Sequence, residues 1–147
     1  MSTFEEEIKR TGKLVYTNVG DSMMPLIKQG RDLVVIVKPE GRLKKYDVPL
    51  YRYGNSHRYV LHRIIKVRES DYVIRGDNCI SKEYGISDND IIGVLAKVIR
   101  KGKEISVEDT GYRIYSRFWH FIFPVRYVYM STRHLAGKLL RKAGLRK

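Results

Sequence analysis

Between residues 14 and 109 the chain alternates short apolar runs with turn-forming residues. LVYTNV (14–19), DLVVIVK (32–38), VPLYRY (48–53), RYVLHRIIKV (58–67), DYVIRG (71–76), DIIGVLAKVIR (90–100) and KEISVED (103–109) are rich in Val, Ile and Tyr and bounded by Gly, Asn, Asp or Pro. Each run has the length and composition of a strand, and the short connections favour antiparallel pairing. Ahead of them, Ser2 with Glu5, or Thr3 with Glu6, forms a capping box before EEEIKR, which predicts a helix to about Thr11. From Tyr112 the apolar spacing lengthens and basic residues fill the gaps. The pattern is interrupted at Pro124, and HLAGKLLRK predicts a final amphipathic helix. The expected fold is therefore mainly β, with antiparallel sheets, a short N-terminal helix and a basic helical C-terminal segment. The expected division is 1–111 for the body and 112–147 for the segment, packed on the body or on a membrane surface.

At 147 residues, 43% hydrophobic and 31% charged, the chain has the size and composition of one globular domain. A single cysteine, Cys79, excludes an internal disulfide. His57, His62, His120 and His134 show none of the close Cys/His spacings of a zinc site, so no structural metal or cofactor is expected. The formal net charge is +13, and it is unevenly placed: after Asp109 no acidic residue occurs, while nine lysines and arginines do, from Arg113 to Lys147.

Beside those charges FWHFIFPVRYVYM supplies aromatics, which suits a helix lying on an anionic membrane surface. The alternative is that the aromatics pack over a sheet and the charges solvate the outer face. No stretch approaches the roughly 20 apolar residues of a membrane span. The N-terminus is acidic where a secretory signal is basic. The expected location is cytoplasmic, with peripheral attachment to a membrane as an option. The charge also admits a nucleic-acid-binding module, but no helix-turn-helix or RNA-binding signature accompanies it.

The densest chemistry lies in GDSMMP (20–25). A serine hydroxyl is a weak nucleophile until a base lies within hydrogen-bond reach and donors await the oxyanion. Gly20 and Pro25 suit a tight entry to a short helix, MPLIKQG, and the Asp21 and Ser22 amides are candidate oxyanion donors. Ser22 as a simple cap of that helix is the competing explanation. Further on, RYVLHRIIKV places His62 in a predicted strand, on one face with Val60 and Ile64, and YVIRGDN ends in Gly76, Asp77 and Asn78.

The ordered blocks GDSMMP, QGRDLVVIV, KYDVPLYR, VLHRII, IRGDN and DIIGVL, spanning about residues 14 to 100, resemble the signal peptidase superfamily, which includes the self-cleaving domains of SOS-type repressors. The resemblance implies a signal-peptidase-like fold of coiled antiparallel sheets and a serine endopeptidase that cuts a leader or signal-like segment of a peptide or precursor protein. It makes Ser22 the nucleophile. It puts His62, followed by Arg63, where bacterial members carry a lysine, as in the endoplasmic-reticulum and archaeal branch. Histidine ordinarily titrates near 6.5, so such an enzyme is expected to titrate near neutral pH.

The resemblance further matches Asp77 to the aspartate of a GDN motif, which either orients the imidazole or holds the turn structurally. It puts a second acid at Glu83 by gapless counting, with Asp88 and Asp90 also open. Met23 and Met24 would line an apolar substrate groove, unless they pack in the core. Two departures stand out: His62 to Gly76 leaves no room for the inserted subdomain of bacterial signal peptidases, and no anchor is visible. The alternative function is a catalytically inactive basic module that binds anionic membrane or nucleic acid.

Overall fold

The computed structural model describes residues 3–56 and 58–144; Ser2, His57, Arg146 and Lys147 lie outside them. The first helix, α1, runs Phe4–Thr11. Thr3 caps it: its hydroxyl accepts from the Glu6 amide (3.3 Å) while the Glu6 carboxylate accepts from the Thr3 amide (2.9 Å). Gly12, at φ 79°, turns the chain out of the helix.

Nine strands follow: β1 Lys13–Tyr16, β2 Asp32–Val37, β3 Pro49–Arg52, β4 Tyr59–Leu61, β5 Arg63–Val67, β6 Tyr72–Arg75, β7 Glu83–Ile86, β8 Ile91–Arg100 and β9 Lys103–Ser106. Every pairing is antiparallel. The larger sheet has the order β1-β2-β8-β3-β4, with β9 also on β8, and the smaller has the order β5-β6-β7. Two apolar clusters accompany them. Met23, Ile27, Val34, Ile36, Leu50 and Val98 belong to one, and Tyr51, Ile64, Tyr72, Ile74 and Ile86 to the other. Burial of such side chains is the main favourable term in the fold.

Three expectations are corrected. The run 58–67 is not one strand, because β4 pairs with β3 in the large sheet and β5 with β6 in the small one. His62 is the residue between them, so it sits at the passage from one sheet to the other rather than within a strand. MPLIKQG forms turns instead of a helix. Its backbone makes two separate bonds of helical span, Ile27 N–H to Met23 O (2.9 Å) and Asp32 N–H to Lys28 O (3.1 Å), while Met23, Leu26 and Ile27 point into the core. Finally, Glu83–Ile86 is a strand that its sequence, EYGI, does not announce, since it is four residues long and carries a glycine at positive φ inside it.

The C-terminal segment is helical over more of its length than HLAGKLLRK suggested. Helix α2 spans Thr110–Phe121 and α3 spans Phe123–Lys142. Pro124 falls in the first turn of α3, where its missing N–H costs no internal bond. Tyr112 and Ser116 bury one face of α2, whereas α3 has no buried residue. Among the described residues no helix is long and apolar enough to cross a membrane.

Candidate functional site

Two turns carrying the singled-out residues grip one another. In the first, Gly20 takes φ 92° and its amide donates to the Gln29 side chain (2.7 Å). The Met24 amide then bonds back to Asp21 O (3.0 Å). In the second, Gly76, Asp77 and Asn78 follow β6. The Asn78 amide donates to Ser22 O (2.8 Å) and its side-chain amide to Asp21 O (3.2 Å). These bonds hold GDS against GDN across a long stretch of sequence, with Ser22 half-buried and Asp21 exposed. Among the described residues, neither the Asp21 nor the Ser22 amide donates to a protein acceptor.

Gly76 lets this junction close around His62. A β-carbon at Gly76 would stand 2.7 Å from Ser22 O, 2.7 Å from Cys79 Sγ and 3.1 Å from His62 Cδ2. The Ser22 loop and the His62 ring therefore converge on one point that no larger residue occupies. Among the described residues no hydrogen bond joins the Ser22 hydroxyl to His62, whose ring nitrogen Nδ1 is engaged on its other side.

The opposite edge of the ring meets a carboxylate. His62 Nδ1–H donates to Glu83 Oε1 (2.9 Å), and the Tyr51 hydroxyl donates to Glu83 Oε2 while lying 3.4 Å from Nδ1. An ionised carboxylate only accepts, so this contact places the proton on Nδ1 and leaves Nε2 as the basic nitrogen. Burial pushes the Glu83 carboxyl up, but hydrogen bonds from His62 and Tyr51 outweigh it and hold the group below the ordinary glutamate range. Burial first, then the Glu83 carboxylate, pushes the Tyr51 phenol up, so it stays a donor.

Asp77 is engaged elsewhere. Arg63 binds it with two parallel bonds of 2.8 Å, and both side chains are buried. Tyr115 donates to its carboxylate (2.9 Å), while Trp119 and Arg126 donate to its carbonyl. Arg63 also donates to Tyr46 O and Ser116 Oγ. Asp77 thus ties the start of the GDN turn to α2 and α3. Asp88 accepts from Tyr72 and Arg42, and Asp90 from Ser87, so neither reaches His62. Of the acids left open by sequence, Glu83 is the one on the imidazole.

The two methionines part company. Met23 is fully buried in the core and offers no groove surface, a correction to its expected role, and Met24 is half-buried. An open groove of about 930 Å³ instead runs from Asp21, Asn78 and Cys79 to Met130, Arg133 and Gly137 on α3. Tyr51 and the Arg63–Tyr115–Trp119–Arg126 cluster were not singled out from sequence, because strand and helix residues of these types carry no mark of what they touch. No protein-family model, no curated protein and no solved structure matches the chain.

Proposed function

We propose that the protein is a serine endopeptidase of the signal-peptidase-like kind, cutting a peptide or precursor protein with Ser22 as nucleophile and His62 as general base. The observation that carries this is the position of His62, with Nδ1 on Glu83 at one edge and the Ser22 loop meeting the ring at Gly76 at the other. Glu83 is the orienting carboxylate, and Asp77 is a structural anchor.

In the proposed reaction Nε2 removes the Ser22 Oγ proton as Oγ attacks the scissile carbonyl carbon. The carbonyl oxygen becomes an oxyanion that the Asp21 and Ser22 amides stabilise. The imidazolium, stabilised by Glu83, gives its proton to the departing amine as the C–N bond breaks, leaving an acyl ester on Ser22. Water then attacks the ester, losing a proton to Nε2, and the released Oγ takes it back. The groove beside Asp21 and Asn78 gives the polypeptide room on one side of the serine.

Acylation by a fluorophosphonate tests this directly. The native chain is expected to label at Ser22, and Ser22→Ala and His62→Ala are expected to lose labelling. Equal labelling of all three chains sinks the proposal.

A further inference from the structure

The C-terminal helix α3 has two faces. One looks toward the groove beside Asp21 and Asn78, where Met130, Arg133 and Gly137 line the wall. The other carries Val125, Val128, Leu135 and Leu139, all exposed and spaced at steps of three, four and seven residues, so that they form one stripe on the side away from the groove. At 1.5 Å per residue the stripe is about 20 Å long. The same spacing continues back into α2 through Phe118 and Phe121, and Phe121 is 81% exposed. An apolar stripe of this length left in water marks a binding surface.

Charge selects the occupant. No acidic residue occurs after Asp109, so nothing on α2 or α3 offsets their lysines and arginines. Tyr129 borders the stripe on one flank and Lys138 and Lys142 on the other. Seating a second copy there would bring two such basic helices together, and like charges at close range oppose that. An anionic lipid surface reverses the sign of the same interaction. Tyrosines and long basic side chains beside an apolar stripe also suit the boundary between acyl chains and headgroups, where the stems bury and the charges reach phosphate.

We infer that the apolar stripe of α3, continued by Phe118 and Phe121, docks on an anionic membrane with the helix lying in the surface plane. This is independent of whether Ser22 acylates. The groove face would then stand about 10 Å, one helix diameter, above the lipid boundary.

Sedimentation with vesicles of equimolar phosphatidylcholine and phosphatidylglycerol tests it. The full chain is expected to bind these vesicles, to bind pure phosphatidylcholine about tenfold less, and to be released by high salt. Val128→Glu with Leu135→Glu, and separately Lys138→Glu with Lys142→Glu, are each expected to weaken binding about tenfold or more. All four side chains lie on the unburied surface of α3, so circular dichroism should show the fold retained. No binding to the anionic vesicles overturns the proposal, as does binding unaffected by both double variants. A lipid-free dimer that Val128→Glu with Leu135→Glu dissociates, with lipid binding unchanged, assigns the stripe to a second copy instead.

Discussion

His62 and Glu83 lie 21 residues apart in the chain and meet through a 2.9 Å bond from Nδ1 to Oε1. The first belongs to the passage between β4 and β5 and the second opens β7, so the pair exists only because the small sheet folds back beside that passage. The bond fixes both the ring's orientation and its tautomer. It is the contact on which the proposed chemistry depends most.

Replacing Glu83 with Gln keeps the side chain's shape but removes its charge and lets it donate as well as accept. The imidazole loses its preference for a proton on Nδ1, and its cation loses a counter-charge. Glu83→Gln is expected to slow acylation by a fluorophosphonate about a thousandfold, with the circular dichroism spectrum unchanged. Tyr51→Phe removes one donor to the same carboxylate and is expected to cost only about tenfold. Comparable rates for Glu83→Gln and the native chain would falsify the orienting role.

Asp77 should respond in the opposite way. Asp77→Asn leaves the Arg63 guanidinium buried without its counter-charge, and breaking a buried pair of this type costs about 3 kcal/mol or more. Urea unfolding should show that loss, whereas Glu83→Gln, at a half-buried carboxylate, should move the midpoint much less. If Asp77→Asn left stability untouched but abolished acylation, Asp77 rather than Glu83 would belong to the chemistry.

Apart from β7, the strands were legible because Val, Ile and Tyr runs between turn residues are a local signal, and the first helix because its capping box is written in four consecutive residues. The sheet change at His62 was not legible, since β4 and β5 are separated by one residue and read as one apolar run. Ser22, His62 and Glu83 could be marked through ordered blocks, yet no local rule distinguishes Glu83 from Asp77 as His62's partner. That distinction follows from Arg63, whose buried guanidinium takes Asp77 for itself. Met23 illustrates the limit from the other side: a methionine beside the serine is compatible with a groove or a core, and only its burial separates them.

Acid should unfold the protein partly through Asp32. Its carboxylate is buried between Arg31 and Arg100; burial pushes its pKa up, but bonds from both guanidiniums and the Lys28 amide outweigh that and hold it down at about 2. A carboxyl whose folded value lies below its unfolded one stabilises the fold fully above the unfolded value, near 3.8, and stops doing so as pH falls toward 2. The urea midpoint of the native chain should therefore exceed that of Asp32→Asn by a constant margin above about pH 5, and the margin should shrink steadily below pH 4. A margin that persists undiminished to pH 2 refutes the assignment.

Gly76 gives the sharpest separation of site geometry from stability. Its φ is not positive, so a larger residue is opposed by space alone. An alanine there would press its methyl group to 2.7 Å from Ser22 O, a backbone atom that cannot rotate away and that already accepts the Asn78 amide. The Ser22 loop must shift, and a misplacement of about 1 Å between nucleophile and base is enough to cost about a hundredfold in rate. Gly76→Ala should therefore slow acylation by about that factor, and overpacking should remove about 1–3 kcal/mol of stability. Adding Cys79→Ala removes the second close contact, at 2.7 Å, without touching the Ser22 carbonyl. The double variant should recover part of the stability and none of the acylation rate. Native labelling by Gly76→Ala would mean that the approach of the Ser22 loop to His62 is not what sets reactivity.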